Sequence, residues 1–175
     1  MSRGVRVLLG AQFLTAFADN AILFTAIAML FFDPDGQSRG WYVPALQASF
    51  LVAFVVLAPW AGPFADRNPK PRVLLAGNLL KAAGACLMFV GVEPIAAYAL
   101  VGMGAAVYGP AKYGILPELV GHDRLVRANG LMEGSTILAI VLGTVVGARI
   151  ADQSVALALT AVMGCYVTSA IATFG

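Results

Sequence analysis

The chain has 175 residues, of which 60% are hydrophobic and 11% charged, with a net charge of +2 and a mean hydropathy of +0.85. A water-soluble domain carries about 25% charged residues, so this composition cannot cover a solvated surface, and it describes an integral membrane protein. The small positive charge excludes nucleic acid as a partner.

A membrane-crossing helix needs roughly 20 apolar residues. Six segments meet that length, at about 5–32, 41–63, 73–91, 94–117, 128–151 and 154–174. Each is expected to be helical, because backbone groups in hydrocarbon need partners within their own segment. Period-2 alternation is missing, which argues against a transmembrane barrel. The expected fold class is an all-α integral membrane bundle of six helices, forming a single unit over 1–175.

The first segment carries the run "QFLTAFADNAILF", with Gln12, Thr15, Asp19 and Asn20 inside apolar sequence. Gln12, Thr15 and Asp19 are spaced i, i+3, i+7, which puts them on one helix face. That stripe reads either as a structural hydrogen-bond cluster or as a substrate or ion site, since ionisable groups at membrane depth mark function. "MSRGVR" followed by "VLLGAQFLTAFA" has the order of a cleavable signal. The apolar run continues to Phe32, however, so an uncleaved first helix is expected.

The connectors set the orientation. Arg3, Arg6, Arg67, Lys70, Arg72, Arg124 and Arg127 fall on one side. Only Arg39 and Arg149 fall on the other, beside Asp33, Asp35, Glu93 and Asp152. The positive-inside rule then puts the N-terminus in the cytoplasm, and six crossings return the C-terminus there. The sequence stops at "IATFG" without a basic segment, which reads as one half of a larger architecture.

Between the second and third segments runs "GPFADRNPKPR", from Gly62 to Arg72. In the third segment Asn78 and Lys81 form an i, i+3 polar pair; Lys81 is able to snorkel toward the cytoplasm, and it reads equally as a structural or a functional group. The fourth holds "YGPAKYG". Pro110 lacks an N–H and its ring clashes with the preceding turn, so Gly109-Pro110 is expected to break or kink the helix beside Lys112. Broken helices of this kind build transporter sites.

Glu133 lies at a depth similar to Lys112 in the fifth segment. Lys112 can meet Glu133 directly or reach toward Asp19 if the helices tilt, and depth alone does not choose between the two carboxylates. Gly102, Gly104 and Gly109, together with the Gly143-xxx-Gly147 motif, read as close-packing surfaces. Cys86 and Cys165 read as buried packing residues, without a disulfide or metal. His122, Glu118 and Asp123 read as solvated loop residues. No cofactor or metal site is expected.

"GPFADRNPKPR" resembles the loop between helices two and three of the major facilitator superfamily, Gly-x-x-x-Asp-Arg-x-Gly-Arg-Lys/Arg. Gly62, Asp66, Arg67, Lys70 and Arg72 match it with small shifts, and Asn68-Pro69 replaces the usual x-Gly. The resemblance implies a charged latch that stabilises one state of a transport cycle, and half of a twelve-helix transporter. "AQFLTAFADNAILF", "GAAVYGPAKYGILPEL" and "RANGLMEGSTILAIVLGTVVG" are similar to the bacterial lysophospholipid transporter family within that superfamily. The similarity implies an inner-membrane flippase rather than an enzyme, working by alternating access. It also implies that Asp19, Asn20 and Lys112 contact substrate in a central cavity, with Gln12 and Glu133 beside them. The implied partners are lysophospholipid, membrane lipids, a second six-helix half and a lysophospholipid acyltransferase.

Two other functions compete. Gly134, Gly143 and Gly147 match a glycine pattern of superfamily antiporters, although Ala148 replaces its proline, and Asp19 or Glu133 would then carry a proton. The other is a non-transporting membrane subunit.

Overall fold

The computed structural model describes residues 3–31 and 40–174. Six long helices dominate: α1 (Arg3–Phe31), α2 (Tyr42–Arg67), α3 (Lys70–Phe89), α4 (Pro94–Val120), α5 (Leu125–Gln153) and α6 (Val155–Phe174), with a 3-10 turn at His122–Arg124. All six are long and apolar enough to cross a membrane. Phe32, Asp33, Asp35 and Arg39 lie outside the described residues.

Helices α1 to α5 begin two to three residues before, or end several residues after, the apolar segments that announce them, and α6 matches its segment to within one residue. α1 already starts at Arg3, α2 runs on to Arg67 and α5 starts at Leu125. Backbone hydrogen bonding continues past the hydrocarbon boundary, whereas hydropathy reports only the apolar part. The expected Gly62–Arg72 connector is therefore corrected. Gly62–Arg67 are the last turns of α2, Lys70–Arg72 open α3, and only Asn68-Pro69 separate them.

Local chemistry fixes the ends. α3 closes on Gly91, whose φ of 86° suits a residue without Cβ. The Gly91 N–H donates to the Met88 carbonyl and the Val92 N–H to the Leu87 carbonyl, the double bond of a glycine C-terminal cap. The Ser154 hydroxyl accepts the Leu157 N–H at 3.2 Å and so caps α6. α4 is one continuous helix through Pro110 and Pro117, so of the expected break or kink at Gly109-Pro110 the break is ruled out. A proline removes one backbone bond, and a helix packed in a bundle tolerates that loss.

α1 packs mainly on α5 and α6, α4 mainly on α2 and α3, and α3 packs on α6. The pattern is unchanged when the first three helices are exchanged with the last three. Three crossings per unit make the two triplets opposite in direction, the arrangement of an inverted repeat. Glycines set the closest contacts. A Cβ on Gly143 would collide with the Phe17 backbone, and one on Gly147 would lie 2.5 Å from the Ala21 Cα. A Cβ on Gly102 would collide with the Phe50 backbone. Gly104 packs as closely against Gly77 and Lys81, whereas Gly109 faces open space and packs nothing. Cys86 is exposed and Cys165 half-buried, both free, which corrects the expectation that they are buried.

Candidate functional site

The polar residues of α1 do not form one patch. They split into three layers, the first tied to α5 and the other two to α3 and α6. At the N-terminal end of the stripe, the Gln12 amide donates to the Thr136 hydroxyl of α5 at 3.0 Å. One turn on, the Thr15 hydroxyl donates to Asn78 Oδ1 of α3 at 3.1 Å, and it lies 2.8 Å from the Ser169 hydroxyl of α6. Asn78 Nδ2 donates to Ser169 Oγ at 3.0 Å, and Ser169 donates to the Ala11 carbonyl at 2.8 Å. Thr15, Asn78 and Ser169 are fully buried.

A further turn along, the Asp19 carboxylate meets the Lys81 ammonium. Nζ lies 2.7 Å from Oδ2, and the Tyr166 hydroxyl donates to Oδ1 at 2.8 Å. The spacing explains the stacking: Thr15 and Asp19 are one turn apart on α1, as are Asn78 and Lys81 on α3 and Ser169 and Tyr166 on α6. Lys81 Nζ also sits 5.1 Å from the Tyr108 ring centroid and 5.9 Å from that of Tyr166, within range of the attraction between a cation and a ring face. Lys81 is 1% exposed, so the snorkelling alternative is excluded. A lysine this dry is stable only because an anion and two rings replace its hydration.

These contacts correct the expected partners of Asp19. It binds Lys81 rather than Lys112. Asn20 donates to the Ala16 carbonyl of its own helix at 2.9 Å, and Gln12 is engaged two turns away. The Gln12 Oε1 and Tyr108 hydroxyl are buried without a hydrogen-bond partner among the described residues.

Lys112 lies elsewhere, between α4 and α5. Its Nζ is 3.9 Å from Glu133 Oε1, as depth along the helices allows, and 4.3 Å from the Tyr113 ring centroid. Glu133 accepts the Tyr113 hydroxyl at 2.8 Å. The pair is loose: half of the Glu133 side chain is exposed, against 9% for Lys112. The buried ammonium therefore has Glu133 only at the outer edge of ion-pair distance, whereas the exposed carboxylate is held by a phenol.

The residues that resemble the latch stand at the end of the bundle that also carries Arg3. Lys70 Nζ donates to the Ala65 carbonyl at 2.8 Å and pairs with Asp66 at 3.2 Å, with the Asp66 side chain 82% exposed. A Cβ on Gly62 would meet nothing within 4 Å outside its own helix backbone. Arg67 and Arg72 are exposed.

Comparison with known proteins agrees with this architecture. The family model for the Major Facilitator Superfamily matches residues 8–174. The chain is 49% identical over 176 residues to the lysophospholipid transporter LplT of Photorhabdus laumondii subsp. laumondii, covering 99% of this chain and 43% of that protein. It is 51% identical over 162 residues to the proteins of the same name from Salmonella heidelberg and Salmonella agona, covering 91% of this chain and 39% of each. The chain thus spans about two fifths of the length of these relatives.

Proposed function

This chain belongs to the Major Facilitator Superfamily, and we propose that it forms the N-terminal six-helix half of a transporter that moves lysophospholipids across the bacterial inner membrane by alternating access. The observation that carries the reading is the pair of ionic sites at membrane depth. Asp19 and Lys112 offer groups of opposite sign, and a lysophospholipid headgroup presents a phosphate beside an amine or hydroxyl.

Lys112 binds the phosphate as a point charge. It is suited to this because Glu133 stands 3.9 Å away and leaves the ammonium incompletely neutralised. Asp19, a quarter exposed, takes the amine or a glycerol hydroxyl. Asn20 borders that site without sharing the carboxylate, and Gln12 stands two turns away, on Thr136. The single acyl chain stays against apolar helix faces or lipid, so only the headgroup needs a polar path. Asp66, Arg67, Lys70 and Arg72, following Gly62, act as the latch at the cytoplasmic end, where the N-terminus also lies by the positive-inside rule.

A second six-helix half, from the same or another chain, closes the cavity. The share of each relative that the chain covers supports this. An acyltransferase that re-esterifies the delivered lysophospholipid is the fitting downstream partner. The test is movement of lysophosphatidylethanolamine across vesicles containing the protein from its complete reading frame, wild type beside Asp19→Asn. Movement in the wild type and its loss in the variant support the reading. A response only to antiporter substrates in a proton gradient favours an antiporter instead.

A further inference from the structure

Asp19 is the residue a headgroup amine would meet, yet its charge is already countered from behind. Lys81 holds one carboxylate oxygen and Tyr166 the other. Exposure divides the pair: 25% of the Asp19 side chain is accessible, against 2% for Lys81. A ligand can reach the carboxylate but not its counter-ion. The lysine is also built in. Its stem lies along Gly104, where a Cβ would come within 2.7 Å of Lys81 Cγ, and its ammonium is covered by Tyr108 and Tyr166.

We propose that Lys81 is a specificity-determining residue and Tyr166 a positioning residue: Lys81 masks the charge of Asp19 from behind, Tyr166 fixes the carboxylate's direction, and the site therefore accepts anionic headgroups as well as amine-bearing ones. A bare carboxylate would attract an amine and repel a second negative charge on the headgroup. With the ammonium 2.7 Å behind it, the pair presents a dipole of no net charge, and repulsion of an anionic headgroup falls. Tyr166 contributes direction without charge. This inference rests on the lysophospholipid reading above.

The test compares an amine-headed substrate, lysophosphatidylethanolamine, with an anionic one, lysophosphatidylglycerol, in vesicles containing the protein from its complete reading frame. Lys81→Gln is expected to lower the ratio of anionic to amine-headed transport about tenfold, a change of about 1.4 kcal/mol in relative binding. Tyr166→Phe, which removes direction but no charge, is expected to raise KM for both substrates alike and so leave that ratio unchanged. An unchanged ratio in folded Lys81→Gln overturns the proposal.

Where Lys81→Gln fails to fold, the exchange Asp19→Lys with Lys81→Asp keeps an ion pair but turns the ammonium outward. It is expected to favour the anionic substrate, and wild-type preference in the exchanged protein would overturn the proposal equally. If the wild type moves neither lipid, the transport reading itself fails, which is a different result from an unchanged ratio.

Discussion

Gly143 of α5 rests directly on the backbone of Phe17 in α1, with no room for a Cβ between them. Lipid tails are as apolar as side chains, so helices in a membrane associate through close packing and polar contacts rather than through hydrophobic exclusion. A glycine at this crossing lets α1 and α5 approach until backbone meets backbone. Gly147 repeats the contact one turn on, against Ala21. Gly143→Leu should therefore separate α1 from α5 and destabilise the protein by at least about 1–3 kcal/mol, the cost of overpacking a filled interior. Thermal unfolding in detergent is the measurement. Gly109→Ala, whose added Cβ would meet nothing within 4 Å outside its own helix backbone, should leave the melting temperature nearly unchanged.

The Thr15–Asn78–Ser169 layer joins α1, α3 and α6 without any charge. Asn78→Leu removes two of its bonds and leaves the buried hydroxyls short of partners. Leaving a buried polar group unsatisfied costs about 1–3 kcal/mol. Thr15→Ser keeps the hydroxyl and should cost far less. A larger loss of stability for Thr15→Ser than for Asn78→Leu would show that the threonine methyl, rather than the network, holds the layer.

The six crossings were readable because composition alone forbids a solvated surface, and because the membrane admits few solutions to backbone hydrogen bonding. The Gly143–Gly147 contact was readable for a similar reason, since small residues one turn apart have one obvious use. Depth along two helices allowed Lys112 to meet Glu133 without choosing between Glu133 and Asp19. Depth alone failed for Asp19, because it does not say which way a side chain points around its helix. The available signal was relational: Thr15 and Asp19 on α1 match Asn78 and Lys81 on α3 in spacing, so two helices packed side by side would join both pairs at once. Ser169 and Tyr166 complete the layers from α6, and neither stands out in an apolar sequence. The exchange symmetry of the two helix triplets leaves no visible repeat in the residues. The continuity of α4 through Pro110 depends on neighbouring helices that a local reading does not see.

Asp66 and Lys70 form an exposed i, i+4 pair at 3.2 Å. Such pairs contribute about 0–1 kcal/mol, so Asp66→Ala should barely change the melting temperature. On the latch reading it should nevertheless lower the transport rate, because the residue acts on the balance between transport states and not on the fold. A rate and a melting temperature measured on the same preparation separate the two effects. Equal rates for wild type and Asp66→Ala would remove the latch role.

Lys112 offers the sharpest test of headgroup binding. Its ammonium is nearly buried, yet its carboxylate neighbour lies at 3.9 Å and is mostly committed to the Tyr113 hydroxyl. Lys112→Ala should abolish lysophospholipid movement, while stability changes modestly because no close ion pair is broken. Lys112→Arg tests the geometry: it keeps the charge but replaces a compact ammonium with a planar fork, and it should restore phosphate binding only in part. Tyr113→Phe should free Glu133 to approach Lys112, neutralise it more fully and weaken binding of the phosphate. A rise in apparent KM for Tyr113→Phe, with the maximal rate retained, is the expected signature. Unchanged kinetics in both Lys112→Ala and Tyr113→Phe would place the phosphate site elsewhere in the transporter.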